Sequence, residues 1–249
     1  MLFLCTFDTF AKLCVLFHEK KQMTNKNNHT PKIPQNYQVN TDSFACPITT
    51  DIAVFGYVDH RLKLLLTKRS VGDFTDHWLL PGGVMEADET LQDCANKILF
   101  ALTGVKDIHF EQVKVYSALD RHPIKRVITV SFYAMVKPGD HPFSLKGNVE
   151  QIAWFDIDDI PKNLGFDHAQ IIHDAHLFLK NNLKDRLIVG ELLPKTFTLT
   201  ELQKLYEDIL GLELDKRNFR KRIFQMDILK STGKVKAGVK GGPMLYELE

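Results

Sequence analysis

Residues 80–105 read LPGGVMEADETLQDCANKILFALTGV, and this stretch decides the fold. A glycine pair at Gly82 and Gly83 precedes a segment whose apolar residues recur every three or four positions, which is the spacing of a helix with one apolar face. Gly104 predicts the end of that helix. On its own the pattern is also that of an ordinary amphipathic helix, which we expect over about 90–102. Its apolar positions are Leu91, Cys94, Ala95, Ile98, Leu99 and Leu102.

The same stretch resembles the Nudix box, G-x5-E-x7-R-E-U-x-E-E-x-G-U, in which U is a bulky apolar residue. The spacing is intact, and Lys68-Arg69 and the run 78–83 upstream fit the same frame. The resemblance implies a Nudix-like fold. The residues that match the box are Gly83, Glu89, Leu99, Gly104 and Val105.

The carboxylates at the centre of the box are missing. Lys97 replaces the arginine, and Ile98, Ala101 and Leu102 stand where the three glutamates belong. In Nudix hydrolases those glutamates hold Mg²⁺ or Mn²⁺ against a diphosphate. Hard divalent ions need oxygen ligands, and the metal activates the attacking water. We therefore expect sensing rather than hydrolysis, with no catalytic residues, metal ligands or cofactor.

An active hydrolase with relocated metal ligands is the alternative. It would use Glu86 and Glu89, with Glu111 or Asp120. Glu89 also has a simpler role open to it, because a carboxylate near a helix N-terminus interacts favourably with the helix dipole.

The flanking segments predict a sheet and a closing helix. Residues 49–70 read as two strands around a turn at Asp59-His60, and 110–122, 126–136 and 152–155 as further strands. A polar loop spans 137–147, and an amphipathic helix begins near Asp167. We predict an α/β fold, a Nudix-like α/β/α sandwich with a mixed sheet, followed by a small winged-helix DNA-binding domain.

The last sixty residues carry the pattern of the second domain. A helix is predicted over about 200–210, with Thr198 or Thr200 as its N-cap, and a second over about 215–226 with Phe219, Ile223 and Phe224 near one face. A glycine-rich β-ribbon closes the chain. A basic second helix belongs in the major groove, although a charge run can also be a solvated face. The predicted DNA contacts are Lys216, Arg217, Asn218, Arg220, Lys221 and Arg222 on the helix and Lys234, Lys236 and Lys240 on the wing.

Residues 44–249 as a whole resemble the Nudix-related transcriptional regulators, which join a degenerate Nudix-like sensor to a winged helix. The stretches that show this include 120–132, 166–172 and 193–223. The resemblance implies a homodimer that binds operator DNA and a small effector, either an ADP-ribose-like nucleotide or a sugar. The apolar box helix slightly favours a sugar. A protein-interaction role for the winged helix is the rival interpretation.

The effector is expected in the groove beside the box loop. Arginine suits bidentate contact to phosphate, and an indole can stack on a base or a sugar. Simpler roles are open to several of these residues: a core tryptophan, surface arginines, and an N-cap at Asp167. The candidate residues are Arg69, Trp78, Arg121, Arg126, Asp167 and His168.

Composition gives the remaining limits. The net charge is +1, yet residues 195–249 hold eleven lysines and arginines against eight acids. The four cysteines show no C-x-x-C spacing, so we expect neither a disulfide framework nor a zinc site. The apolar start lacks a signal-peptide pattern and is too short for a membrane span. We expect a cytoplasmic protein with no membrane contact, an N-terminal extension at 1–43 with Met23 as the true start, an effector domain at 44–183 and the winged helix at 184–249.

Overall fold

A long hairpin opens the folded region. The computed structural model describes residues 46–104, 108–136, 148–183, 192–238 and 242–248. Strand β1 (Ile48–Val58) and strand β2 (Arg61–Arg69) pair antiparallel around Asp59 and His60. Both turn residues have positive φ, 51° and 61°, which is the geometry that matches the twist of the flanking strands. The predicted turn is therefore confirmed.

Four more strands complete the sheet. They are β3 (Gly82–Val84), β4 (Phe110–Tyr116), β5 (Ile128–Val136) and β6 (Val149–Asp156). The order is β4-β5-β1-β2-β6, with β3 paired to β1. Strands β1 and β5 are parallel and the other pairs antiparallel, so the sheet is mixed as predicted.

Two helices cover the two faces of this sheet. Helix α1 (Leu91–Thr103) begins at Thr90, whose side chain closes a capping box with Asp93, and ends at Gly104 in the left-handed conformation. It packs Ala95 and Leu99 against one face of the sheet. Helix α2 (His168–Asn181) packs Ile171 and Ala175 against the other. Strand β1 is buried over seven consecutive residues, from Thr50 to Gly56, because it lies between both layers.

The C-terminal elements form a second, smaller sheet with two helices. They are β7 (Phe197–Thr198), α3 (Leu199–Leu210), α4 (Lys216–Gln225), β8 (Leu229–Val235) and β9 (Met244–Leu248), and the strand order is β7-β9-β8. Phe219 and Ile223 are buried as predicted. Phe224 is not: it is 49% exposed, and its ring meets Tyr246 of β9 instead. Phe224 lies on a different face of α4 from the buried residues Phe219 and Ile223.

One continuous hydrophobic core joins the two parts. It runs from Phe55 and Leu64 of the sheet through Ile171 of α2 to Leu205 and Ile209 of α3. The predicted domain boundary at residues 183 and 184 stays a prediction. The predicted N-terminal extension, Met23, the 137–147 loop and Lys240 lie outside the described residues. Over the ranges given above, every helix is too short or too polar to span a membrane.

Candidate functional sites

Two of the substituted positions of helix α1, Ile98 and Leu102, face protein. Leu102 is buried, and Ile98 lies against the Gly83 backbone. The ammonium nitrogen of Lys97 binds both remaining carboxylates, at 3.0 Å from Glu86 Oε1 and 2.8 Å from Glu89 Oε2. The hydrogen bond from Lys97 lowers the pKa of Glu89.

The Nudix metal therefore does not fit the residues present. A divalent ion needs several oxygen ligands, whereas both acids here are paired with one lysine. Within the described parts of the chain, no three His, Cys, Asp or Glu side chains are grouped so that they could hold a metal ion. Glu111 is engaged elsewhere, by His109 and the Tyr133 hydroxyl.

A buried polar cluster lies on the other side of the glycine loop. Arg121 donates from Nε and Nη2 to the two carboxylate oxygens of Asp167, at 3.0 and 2.7 Å. Its Nη2 also lies 3.8 Å from Asp51 of β1. The Leu80 amide donates to His168 Nδ1 at 2.9 Å, which places the His168 proton on Nε2, 3.7 Å from Asp51 Oδ1.

Burial shifts both titratable groups at the centre of this cluster. It raises the pKa of Asp51 to about 6, although Arg121 opposes the shift. It lowers the pKa of His168 to about 3, so the imidazole is neutral at physiological pH. Such shifts in a cluster beside a loop are typical of functional sites. Gly82 is required here, because a Cβ atom would collide with the Asp51 carboxylate and the Thr50 carbonyl.

This geometry changes the role expected of Arg121. Its side chain is 4% exposed and already bidentate to Asp167, so it is neither a surface charge nor a free phosphate ligand. Asp167 stands at the N-cap position of α2, but its side chain makes no capping hydrogen bond. Since the Asp167 side chain is 23% exposed, it offers the cluster's accessible acceptor.

The other three predicted effector residues lie around this cluster at different distances from it. Arg69 donates a long hydrogen bond (3.5 Å) to Gly82 O and acts electrostatically on Asp51. Trp78 packs edge-on against Phe155 with the Lys68 ammonium over its ring, which makes it part of the core's border. Arg126 donates to the Ala118 carbonyl within its own loop.

Asp51 and a neighbouring group of aromatic rings were not predicted from the sequence. Phe166 contacts Phe74 at 4.4 Å and His122 at 5.1 Å between ring centroids. Phe74 and Phe166 both have positive φ, which no pattern in the sequence announces. Asp51 did leave a signal, since it is the one acid in the apolar run of β1.

Helix α4 forms the candidate nucleic-acid interface. Asp215 caps it by accepting a hydrogen bond from the Asn218 amide at 2.8 Å, and Phe219 and Ile223 anchor it. The six predicted DNA-contact side chains of this helix are all exposed: Lys216, Arg217, Asn218, Arg220, Lys221 and Arg222. A helix with this one-sided anchoring can enter a major groove.

Lys234 and Lys236 of the wing are both exposed and remain predicted DNA contacts, but their surroundings differ. Lys234 is exposed on β8. Lys236, which follows the strand, instead donates to Glu201 Oε1 at 2.7 Å. Glu201 already accepts from the Thr198 amide in the capping box of α3, so this ion pair ties the wing to the start of that helix.

Comparison with known proteins assigns both halves. The NUDIX domain model matches residues 49–175, and the NrtR DNA-binding winged helix domain model matches residues 189–248. The chain belongs to the Nudix-related transcriptional regulators. The predicted fold class, DNA binding and role in transcription regulation are confirmed for this regulator.

Three relatives frame the function. The regulator is 32% identical over 202 residues to the ADPR responsive transcriptional repressor NtrR of Acinetobacter baylyi, covering 80% of each chain. Shewanella oneidensis NrtR complexed with a 27mer DNA matches with a TM-score of 0.68 and 30% identity, over 81% of this chain and 93% of that one. The ADP-ribose pyrophosphatase of Methanocaldococcus jannaschii is 32% identical over 123 residues, 49% of this chain and 71% of that protein.

Proposed function

We propose that this regulator is a repressor that holds operator DNA through α4 and responds to ADP-ribose or a close nucleotide bound at the Asp51–Arg121–Asp167 cluster. The observation that carries the proposal is that one continuous hydrophobic core connects an exposed basic helix to the part of the sheet that holds a buried polar cluster. The Acinetobacter relative, a repressor named as ADPR responsive, supports it across 80% of the chain.

The cluster has the chemistry that a ribose nucleotide needs. Asp167 offers a carboxylate acceptor for hydroxyl groups, and the Arg69 guanidinium offers donors for a phosphate. A free sugar would use the acceptor alone. The apolar box helix slightly favoured a sugar as the effector. The Acinetobacter relative is ADPR responsive, which favours a nucleotide instead.

The regulator senses its effector without hydrolysing it. Lys97 occupies the two carboxylates that a relocated metal would need, which supports this part of the proposal. The similarity to an ADP-ribose pyrophosphatase over 123 residues is the reason to test it directly. With Mg²⁺ or Mn²⁺, the full chain should leave ADP-ribose intact. Turnover that Glu89→Gln abolishes would establish the hydrolase instead.

Helix α2 is the route between effector and operator. Its first residue, His168, belongs to the buried cluster, and His176, two turns further on, donates to the Ile209 carbonyl of α3. Past the end of α2, the Leu183 carbonyl accepts from Tyr206. An effector that moves Asp167 would therefore move α2, which contacts α3 of the winged-helix domain near its other end. The response cannot exceed the effector's differential affinity for the two arrangements.

The regulator acts as a homodimer in this proposal. Two copies of α4 would meet two half-sites about 34–36 Å apart, one turn of duplex. Sedimentation of the full chain with a selected duplex should give two protein chains per duplex. One chain per duplex would contradict the dimer.

The decisive experiment measures binding to a duplex selected by the full chain from a randomised library. Arg217→Ala with Arg220→Ala should lose most of its affinity, and the dependence of binding on salt should flatten, because fewer counterions are released. The matched control removes two exposed lysines of the Nudix domain, Lys125→Ala with Lys162→Ala. Unchanged affinity in the α4 variant would reject the interface, and failure of the full chain to select any duplex would favour a protein partner. ADP-ribose should weaken the wild-type complex.

A further inference from the structure

Two loops are joined by two neighbouring contacts of different chemistry. Arg121 forms its bidentate ion pair with Asp167. The ring of His122, the residue after Arg121, contacts the ring of Phe166, the residue before Asp167. A charged anchor and an aromatic surface therefore lie side by side. Phe166 also approaches the ring of His168 at 5.5 Å, which connects the aromatic group to the buried cluster.

Two of these aromatic residues have strained backbone conformations. Phe74 has φ +63° and Phe166 has φ +52°, in a region that bulky residues avoid and that glycine adopts freely. Such outliers persist only where the surroundings over-determine them, and they concentrate at ligand sites. Gly165 allows the close packing here, because a Cβ atom there would lie 2.5 Å from Leu79 Cδ2 and 3.1 Å from Phe74 Cγ.

The third ring is held in place by its own loop. His122 Nδ1 accepts from the Ile124 and Lys125 amides at 3.2 and 3.4 Å, which fixes the imidazole at 34° to the Phe166 ring. Burial, and then Lys125, lowers the pKa of His122, which favours the uncharged ring. All three rings are half-buried, so part of each side chain is exposed.

We propose that Phe166, flanked by Phe74 and His122, is the subsite that stacks on the purine base of the nucleotide, while Asp167 beside it accepts from the ribose hydroxyls. The inference rests on the proposed function and deepens it. Half-buried rings with their polar partners next to them suit a flat base, because every base offers a π face. A free sugar would need the acceptor but would leave most of this surface unused.

The test is calorimetric titration of the full chain with ADP-ribose, AMP and ribose 5-phosphate. Phe166→Leu should weaken ADP-ribose and AMP by about tenfold or more, the scale of one base stacked on one ring. Ribose 5-phosphate should change by less than about twofold on the same reasoning. Phe166→Trp should restore both base-bearing ligands. The control is Phe110→Leu, which removes a ring from the edge-to-face pair with Phe132 in the core under α1.

The outcomes separate the subsite from the function. Wild-type binding of ADP-ribose with no loss in Phe166→Leu overturns the subsite and leaves the sensor proposal standing. Equal losses for AMP and ribose 5-phosphate also overturn it, because the ring would then only shape the groove. No wild-type response to ADP-ribose rejects the proposed function and the subsite with it. If Phe166→Leu does not fold, Phe166→Gly gives the same reading, since glycine adopts the φ of this position without strain.

Discussion

His176 Nε2 lies 3.0 Å from the carbonyl oxygen of Ile209, so α2 donates a hydrogen bond to the last turn of α3. The final carbonyls of a helix have no partner within the helix, and this imidazole satisfies one of them. Burial lowers the pKa of His176, so the contact is made by a neutral ring. The Nudix domain thus contributes a hydrogen-bond donor to the last turn of α3, a helix of the winged-helix domain.

Removing this donor should weaken the communication between the sites. His176→Phe keeps a ring and deletes the hydrogen bond, which is worth about 1 kcal/mol. We expect the ratio of operator affinities without and with ADP-ribose to fall by roughly fivefold, since that energy corresponds to this factor. Fluorescence anisotropy with a labelled duplex measures both affinities. His173→Phe is the control, because His173 lies on the same helix with its side chain 72% exposed. An unchanged ratio in His176→Phe would exclude the contact from the route.

The pH dependence of stability should reveal Asp51. Its pKa is about 6 in the folded chain against 3.8 ordinarily, so the folded state holds the proton more tightly. Stability from this group is present below pH 3.8 and lost as the pH rises through 6. Asp51→Asn cannot ionise and escapes a loss of up to about 3 kcal/mol. Urea unfolding at pH 4 and 7.5 should show the variant gaining on the wild type. The same difference at both values would contradict the shift.

His168 acts in the opposite direction. Its pKa is about 3 when folded against 6.5 ordinarily, so its contribution is present above pH 6.5 and lost as the pH falls. In the wild type the two groups partly cancel between pH 4 and 6. Asp51→Asn should therefore expose a rise in stability with pH over that window, which urea unfolding at about pH 4, 5 and 6 would measure. A level profile in this variant would show that His168 is not held neutral.

The identity of the N-cap of α3 can be tested by its effect on the free energy of unfolding. Thr198, not Thr200, accepts from the Glu201 amide, at 3.2 Å. Thr198→Ala should lower the free energy of unfolding by about 1 kcal/mol, the usual cost of losing a cap. Thr200→Ala, at an exposed position two residues further on, should change it by less than about 0.5 kcal/mol. The reverse ranking in thermal unfolding would move the start of the helix.

Lys234 and Lys236, the two predicted DNA contacts of the wing that the structure describes, should differ in operator binding. Lys234 is exposed, so Lys234→Ala should lower the slope of log affinity against log salt by about one. Lys236 is held by Glu201, and Lys236→Ala should leave that slope nearly unchanged. Equal slopes for both variants would show that DNA draws Lys236 away from its partner.

Sequence patterns predicted the elements well because periodicity and caps are local. The hairpin turn, the capped box helix and the two helices of the winged domain all lie within two residues of their predicted bounds. The strand of two residues, Phe197–Thr198, was missed because its pairing with Tyr246 and Leu245 is set by a distant strand.

The candidate site was only half visible in the sequence. Arg121, Asp167 and His168 were predicted from resemblance, but the partner that gives them meaning, Asp51, comes from a strand more than sixty residues away. The burial of Arg121 and its bidentate ion pair with Asp167 were not predicted either. Burial depends on packing across the whole sheet, and no local pattern reports it.

The core that passes from the sheet through α2 into α3 also decides how this protein can be divided. A cut between its halves would leave Leu202, Leu205 and Ile209 facing water on one fragment and Ile171 and Leu179 on the other. Apolar faces of that kind associate or are degraded rather than persist alone. A cell that expressed only the winged helix would therefore not obtain a fragment that stays on the operator. Loss of either half should instead remove the protein altogether, so that truncations within either half would share the phenotype of complete loss.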